Sequence, residues 1–489
     1  MEPKKLYICI ACPAVGGKDV IVVRRHRCVL CGRLMDRFDQ ETMTVKGKKG
    51  KGFKDAKRFP RELAADLEQK RVVDIITNRV RDFDCPGKVV AIRKGPMVTE
   101  YEFAPDRYTR INKLKNLNED LAVALSAENV AMQRLPGKAA IGIWVPNAVR
   151  TEVTFADCLK NTIAHRDDME LPVNFGITAT GDPYVEDLTR MPHLLIGGST
   201  GAGKSVFLNN VLTSLLYIRS PKQLKLVMID PKSVELFHYK GLPHLIHEPV
   251  AGVYEALDLM ERMTQEMRRR TSNLFTMKCK NLKEYNDKVK KEAAGLRSLG
   301  DKLAADKKLD ECWPYIVIVI DEMADLVLQE KKSFIEKMAS ISAMSRAAGI
   351  HVIAATQRPS VDVLAGKIKV NFPARVAFRV PAQQDSKTIL NTKGAEQLMA
   401  RGDMFYLSPE KAGIQRLHAP FIRQEDIDRM LALSLEMGHV WNVPADGVAI
   451  PSGNSAEEAA AVEVALATQP VVKPAVGKKL NTKQMSLIN

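Results

Sequence analysis

At 489 residues, with 45% hydrophobic and 27% charged residues, the chain has the composition of a globular protein of about three domains. No apolar run reaches the length of about 18 residues that crosses a bilayer, and the first 19 residues lack the apolar core of a signal peptide, so we expect a cytoplasmic protein with no membrane partner. The formal net charge is +15, and residues 1–58, with 15 Lys and Arg against 6 Asp and Glu, supply +9 of it, which favours nucleic acid over acidic proteins or lipid headgroups as a partner.

The N-terminal head contains four of the eight cysteines, in two short pairs separated by a basic segment. The spacing Cys-x2-Cys-x15-Cys-x2-Cys is typical of a four-cysteine zinc site, and four free thiols or two disulfides are the alternative. Four thiolates complete the tetrahedral shell, so this Zn²⁺ would be structural. We therefore predict a zinc ribbon at residues 1–45 that contacts either DNA or a docking protein, with the metal ligands Cys9, Cys12, Cys28 and Cys31.

Residues 46–59 form a run rich in Lys and Gly that cannot bury a core and predicts a flexible basic linker. The next segment, 60–165, predicts a compact α+β domain. Its apolar spacing indicates a helix over 61–83, a strand–turn–strand unit over 89–105, a second helix over 117–135 and a strand over 139–147.

From residue 166 to about 430, short apolar runs alternate with helical segments, which is typical of an α/β fold with a parallel sheet covered on both faces. A long charged helical stretch separates the second and third of these runs. The remaining residues, 431–489, are low in complexity and predict a largely disordered extension. The strand candidates are 193–197, 224–230, 315–321, 351–357 and 375–380.

The segment GSTGAGKS follows the first of these strands and precedes a helical segment, as a phosphate-binding loop requires. Glycines let backbone N–H groups approach a phosphate, and the helix N-terminus adds a favourable dipole. Lys204 would reach the β- and γ-phosphates of ATP, and the Ser205 hydroxyl would bind Mg²⁺. The cofactor-binding candidates of the loop are Gly198, Ser199, Thr200, Gly201, Ala202, Gly203, Lys204 and Ser205.

The segment YIVIVIDEMADL supplies a second motif, in which Asp321 ends an apolar strand and would contact Mg²⁺. Glu322 beside it would act as a general base toward the attacking water. The strand over 224–230 comes between the two motifs along the chain. A strand inserted between the two phosphate-site strands, together with a catalytic Glu, is typical of RecA-like rather than kinase-like P-loop ATPases.

Several further segments resemble the FtsK/SpoIIIE family of double-stranded DNA translocases. They are PHLLIGGSTGAGKS, VMIDPKSVELFHYKGLPHL, SRAAGIHVIAATQRPSVDVLAGKIKVNFPARVAF, DSKTIL and GAEQLMARGDMFY, and in the preceding domain GPMVTEYEF, LNEDLAVALS and LPGKAAIGIWVPN. The resemblance covers about residues 60–425. It implies a RecA-like ATPase core, or motor β-subdomain, at 166–430, a motor α-subdomain at 60–165, and a hexameric ring that threads duplex DNA and hydrolyses ATP between subunits.

Residue by residue, the resemblance makes Asp321 and Glu322 the metal-site and catalytic acids and Gln357 the sensor of the γ-phosphate. Arg346 occupies the place of the arginine finger, which reaches into the neighbouring subunit's site. Two segments match the pore loops of the family. Their DNA-binding candidates, which would touch backbone phosphates without reading sequence, are Arg358, Lys369 and Lys387.

Cell-division members of the family begin with transmembrane helices and end in a winged-helix module, and we expect neither in this chain. That expectation favours a cytoplasmic motor core, with a mobile element as a candidate source and DNA transfer or segregation as its role. Two alternatives stay open at this point: a secretion-type ATPase that moves protein, and a DNA-binding scaffold with weak ATPase.

Overall fold

The structure is a computed structural model that describes residues 59–436 apart from 110–112, 115–116, 136, 365 and 412, together with four short strands before residue 46. Those strands are β1 (Leu6–Cys9), β2 (Ile21–Val23), β3 (Asp36–Asp39) and β4 (Thr44–Val45), paired antiparallel in the order β2-β1-β3-β4. Cys9 ends β1. The other three candidate zinc ligands, Cys12, Cys28 and Cys31, lie outside the described residues, as do 46–58 and 437–489, so the ribbon, the linker and the C-terminal extension stay predictions.

The first α+β unit wraps two helices around an antiparallel sheet of order β5-β6-β8-β7. Ile76, Phe103, Leu121 and Ile143 are fully buried in its core, so one face of each element is apolar, as the sequence pattern predicted. The elements are α1 (Phe59–Asp82), β5 (Gly87–Lys94), β6 (Val98–Pro105), α2 (Asn118–Leu125), β7 (Ala131–Arg134) and β8 (Ile141–Pro146).

The prediction of one helix over 117–135 is wrong in its second half. Helix α2 ends at Leu125, and Ser126 takes the left-handed conformation (φ +51°) while its N–H caps the helix. The chain then turns into β7, where Ala131 and Met132 pair with β8 and are buried. A short apolar run fits either a helix or a strand, and tertiary pairing decides between them here.

The second unit is a mixed sheet whose described strands number nine, with helices on both faces. Its strands are β9 (Pro172–Thr178), β10 (Pro183–Asp187), β11 (His193–Gly197), β12 (Leu224–Ile229), β13 (Tyr315–Ile320), β14 (Ile350–Thr356), β15 (Ala374–Phe378), β16 (Asp403–Leu407) and β17 (Ile414–His418). Its helices are α3 (Phe155–Ala164), α4 (Lys204–Ile218), α5 (Val253–Thr276), α6 (Leu282–Ser298), α7 (Lys302–Leu309), α8 (Met323–Gln329), α9 (Lys331–Met344), α10 (Gly366–Asn371), α11 (Gln383–Leu390) and α12 (Gln424–Glu436).

The strand order is β10-β9-β17-β16-β15-β11-β14-β13-β12. The five strands predicted from sequence are all present and mutually parallel. The expectation of a purely parallel sheet is incomplete, because β16, β17, β9 and β10 extend it antiparallel. The strand inserted between the phosphate-loop strand β11 and β13 is β14, whereas β12, the candidate at 224–230, lies at the edge.

Two hydrophobic clusters cover the two faces of this sheet. On β11, Leu194 and Ile196 point to the cluster that contains α4, while Leu195 points to the one that contains α5 and α9. Helix α3 packs on β9 in the first cluster, so residues 155–164 lie against the large sheet.

The charged stretch between β12 and β13 forms the three helices α5, α6 and α7, as its pattern indicated. Across the residues that the structure describes, none of the helices is both long and apolar enough to cross a membrane.

Candidate active site

The phosphate-loop candidate connects β11 to α4 and is held by the strands on both sides. The Gly198 N–H donates to Thr356 O on β14, and the Ser199 N–H and hydroxyl donate to Arg379 O after β15. Gly203 has φ +116°, and a Cβ there would lie 2.7 Å from the Gly402 nitrogen. Only glycine therefore fits at this position.

A cavity of about 760 Å³ lies in front of this loop. Residues 199–201 and 203–206 line it from the loop and helix side, and Gln357 lines it from the end of β14. Segments 399–402 and 418–421 form further walls, with Phe421 contributing a half-exposed aromatic ring. A volume of this size, polar at one end and apolar at the other, suits a nucleotide.

Lys204 and Asp321 are both buried and lie in direct contact. The Lys204 ammonium donates to Asp321 Oδ1 at 2.6 Å and to the Asp321 carbonyl at 2.9 Å. Burial raises the pKa of the Asp321 carboxyl, and the adjacent ammonium opposes that rise. The sequence placed both groups at a phosphate–metal site, and the structure brings them together, because a buried charge needs a partner of opposite sign.

Glu322 is 1% exposed and is the N-cap of α8. Its carboxylate accepts hydrogen bonds from the Thr356 hydroxyl at 2.8 Å and from the Gln357 N–H at 3.0 Å. The Gln357 side-chain oxygen in turn accepts a hydrogen bond of 2.8 Å from the Thr200 hydroxyl in the loop. The three sequence candidates Glu322, Gln357 and Thr200 therefore form one connected network at the ends of β13, β14 and β11.

Lys232 and Asp230, at the end of β12, complete this site and were not predicted from the sequence. The Lys232 ammonium lies 3.3 Å from Glu322 Oε2. Asp230 is fully buried and accepts from the N–H groups of four residues between 232 and 236, which fixes the loop that carries Lys232. One signal in the sequence could have indicated Asp230 and Lys232, because Asp230 follows a buried apolar strand just as Asp321 does.

Arg346 lies in the turn after α9, away from the site of its own chain. It is exposed, and it is not among the described residues that line the cavity. Two hydrogen bonds hold the turn in place: Ala347 O accepts from the Leu282 N–H at 2.9 Å, and Ala348 O accepts from the buried Arg270 side chain at 3.1 Å. Arg346 is therefore an exposed arginine on a turn that hydrogen bonds hold in place.

The three DNA-contact candidates lie in the connections on either side of β15. Arg358 and Lys387 are exposed, whereas Lys369 is half-buried, and burial lowers the pKa of its ammonium. Buried Arg375 links the two helices that carry the lysines, donating to Lys369 O in α10 and to Ile389 O in α11. Among the residues that the structure describes, no group of His, Cys, Asp and Glu could hold a metal ion by itself.

Two features define a P-loop ATPase with a RecA-like arrangement of strands. One is a glycine-rich loop between β11 and a helix, and the other is an Asp-Glu pair at the end of β13, which β14 separates from β11 in the sheet. The segment 56–147 matches the FtsK alpha domain, and the segment 155–361 matches the FtsK/SpoIIIE family. The chain belongs to the FtsK/SpoIIIE family.

Two relatives illustrate the similarity. The chain is 39% identical over 370 residues to the DNA translocase FtsK of Staphylococcus aureus (strain Mu50 / ATCC 700699), which covers 76% of this chain and 45% of that protein. It is 38% identical over 376 residues to the DNA translocase SpoIIIE of Bacillus subtilis (strain 168), covering 76% and 46%. The chain therefore spans about half the length of these relatives.

A solved structure shares the fold. The monomer form of the pCW3 conjugation coupling protein TcpA with ATPγS superimposes with a TM-score of 0.50 at 21% sequence identity, covering 74% of this chain and 99% of that one. This similarity confirms the α/β fold.

Proposed function

We propose that this chain is an ATP-driven motor that moves along double-stranded DNA, as a ring of six copies with ATP bound between neighbours. The observation that carries the proposal is the joining of Lys204, Asp321 and Glu322 at one end of the sheet in a chain of this family. The names of its relatives as DNA translocases support the same substrate. Transfer or segregation of DNA, in a mobile element, is the role we propose for it.

ATP would bind with its phosphates on the N–H groups of the loop and at the N-terminus of α4, where the helix dipole favours negative charge. The Lys204 ammonium would exchange part of its contact with Asp321 for the β- and γ-phosphates. The Ser205 hydroxyl and the Asp321 carboxylate would hold Mg²⁺, which neutralises charge on the phosphates when bound. The apolar wall at Phe421 would take the base.

Glu322 would accept a proton from the attacking water, for which its carboxylate must leave part of its present network. Gln357 couples the two events, because its side chain contacts Thr200 in the loop while its N–H holds Glu322. A γ-phosphate that attracts the Gln357 side chain would therefore also shift the base. Arg346 of the adjacent copy would stabilise charge in the transition state.

Arg358, Lys369 and Lys387 would grip the DNA backbone. Such contacts are independent of sequence and sensitive to salt, which suits a motor that must move along any duplex. The half-buried position of Lys369 makes it the weakest of the three candidates for direct contact.

For the head, we propose a zinc ribbon with ligands Cys9, Cys12, Cys28 and Cys31 that directs the motor to DNA or to a docking protein. One zinc per chain by elemental analysis, lost in Cys28→Ser while ATP hydrolysis persists, is the expected result. Full zinc content in that variant would contradict the ligand set.

The test of the motor is ATP hydrolysis measured with and without linear duplex DNA. We expect strong stimulation by duplex in the unaltered chain and loss of hydrolysis in Lys204→Ala, with the exposed Lys290→Ala as the matched control. Displacement of a DNA triplex would then show movement along the duplex.

Hydrolysis that is indifferent to DNA would overturn the proposal and favour a protein-moving ATPase. Duplex binding without hydrolysis would favour a DNA-binding scaffold. Both outcomes leave the assignment to the family unchanged.

A further inference from the structure

The segment 399–402, which forms one wall of the cavity, contains an exposed arginine in an unusual backbone conformation. Arg401 has φ +64°, in the left-handed region that residues other than Gly, Asn and Asp seldom adopt. A residue keeps such a conformation only when its surroundings enforce it, and such residues concentrate at ligand-binding positions.

The surroundings of Arg401 do enforce it. The Gly402 N–H donates to Ala202 O in the phosphate loop at 3.1 Å, and Gly402 O accepts from the Ala419 N–H at 2.8 Å. On the other side, the Asp403 carboxylate accepts from the Met399 N–H at 2.8 Å. The wall segment is thus attached to the phosphate loop one residue after Arg401.

The guanidinium of Arg401 forms no hydrogen bond or ion pair with any residue that the structure describes. Arg150, which also lines the cavity, is by contrast paired with Glu128 at 3.0 Å. Glu152 and Glu235 are the acidic side chains of the cavity lining, and neither is within ion-pair distance of Arg401. Arg401 is therefore a strained cation beside the phosphate loop, with no acidic partner among the residues that the structure describes.

We propose that Arg401 is a nucleotide-binding residue whose guanidinium donates hydrogen bonds to phosphate oxygens of the ATP bound in the same chain. The inference rests on the proposed binding of ATP in this cavity. A planar guanidinium pairs with phosphate in two-point geometry and needs no deprotonation, so it adds a second cation to Lys204. Arg401 would bind the ATP of its own chain, whereas Arg346 would act on the ATP of the neighbouring copy.

The test uses Arg401→Gly in the full chain, because glycine removes the cation and also relieves the strain. We expect the melting temperature without nucleotide to stay equal or rise, while the dissociation constant for ADP and ATPγS weakens about tenfold. Arg401→Lys should recover part of the affinity, and Arg401→Asn, which tolerates the left-handed region, serves if the glycine variant fails to fold.

The matched control is Lys278→Gly. Lys278 is also an exposed, left-handed cation (φ +54°), but it lies in the turn after α5, outside the lining of the cavity. It should show the same gain or constancy in melting temperature with no change in nucleotide affinity. A purely structural role for Arg401 predicts that the two glycine variants behave alike.

The chemistry of the contact is tested by changing the ligand. A phosphate contact predicts equal weakening for ATPγS and for GTPγS, and no weakening for adenosine. Unchanged affinity in Arg401→Gly, or a loss confined to adenine compounds, would overturn the inference while leaving ATP binding intact. Failure of the unaltered chain to bind either nucleotide would overturn both this inference and the proposed function.

Discussion

The Glu322 carboxylate is held by four groups of the protein: the Thr356 hydroxyl, the N–H groups of Ala324 and Gln357, and the Lys232 ammonium. If Glu322 is the catalytic base, these contacts would orient it before ATP arrives.

We predict that Glu322→Gln retains nucleotide binding and loses hydrolysis by about 10²–10⁴-fold, the usual contribution of a general base. The amide keeps the shape of the side chain and can still accept from the Gln357 N–H. Nucleotide affinity by fluorescence titration and turnover by phosphate release measure the two effects separately. Substantial remaining hydrolysis would show that another group accepts the proton.

At the residue scale, the sequence predicted the groups whose chemistry defines a motif and missed those whose position depends on the fold. Lys204, Asp321 and Glu322 follow from spacing and strand ends alone. Lys232 and Arg401 do not, because each lies in a loop whose path is set by hydrogen bonds that no motif describes. The loop of Lys232 is held by the Asp230 side chain, and the segment of Arg401 by contacts of Gly402 with residues far along the chain.

Among the elements, β11 and β14 share a pair of buried histidines at their starts. His193 accepts from the Val352 N–H at 3.0 Å through Nδ1 and donates to Ser342 O in α9 through Nε2, while His351 donates to Pro192 O. His193 thus connects the phosphate-loop strand to the helix that precedes Arg346. Burial, first of all, lowers the pKa of His193 to about 3 and that of His351 to about 4.

These shifts make the protein sensitive to acid. Both histidines are neutral when folded and take up protons near pH 6.5 when unfolded, so their contribution to stability is complete above that pH and is lost as pH falls toward 4. Each should remove about 1.4 kcal/mol of unfolding free energy per pH unit in that window. Urea unfolding from pH 7.5 to pH 5, followed by circular dichroism, measures the slope.

The variant that isolates this effect is His351→Gln. It should lower the slope of the unfolding free energy against pH by the contribution of one histidine, whether or not the substitution itself changes stability. The exposed His247→Gln is the matched control and should leave the slope unchanged. Equal slopes for all three proteins would contradict the assignment of acid sensitivity to the buried pair.

The elements that sequence patterns predicted well are the ones whose pattern is set by local burial. The five parallel strands are apolar on both faces and stand out as continuous runs, as in β13. The antiparallel strands β9, β10, β16 and β17 were not predicted because their runs contain polar residues whose partners are known only from the fold. Examples are Asn174, which accepts from the Gly176 N–H, and Asp403, which pairs with Arg416 at 2.6 Å.

For the whole molecule, the contact between the α+β unit and the α/β unit bears on the site. Arg416 on β17 lies over the Trp144 ring of β8, 5.3 Å from its centre, and the same Arg416 is paired with buried Asp403. Asp403 also fixes the wall segment at Met399. The small unit is therefore connected to the wall of the cavity through the contacts of Trp144, Arg416 and Asp403.

The proposed ring yields the most specific prediction. If each active site combines Lys204 of one copy with Arg346 of the next, then Lys204→Ala and Arg346→Ala should each be inactive alone. In a ring assembled from equal amounts of both variants, about a quarter of the interfaces join an intact Lys204 to an intact Arg346, because a head-to-tail interface uses a different face of each copy. Hydrolysis should therefore reappear on mixing, measured by phosphate release in the presence of duplex DNA.

The mixing experiment has two controls. Mixing Lys204→Ala with Glu322→Gln should restore nothing, because both changes fall on the same side of the interface, and exchange of fluorescently labelled copies verifies that mixed rings form. If mixed rings form and Lys204→Ala with Arg346→Ala stays inactive, Arg346 does not act across the interface. The exposed, rigidly held turn that carries it would then serve contact between copies rather than catalysis.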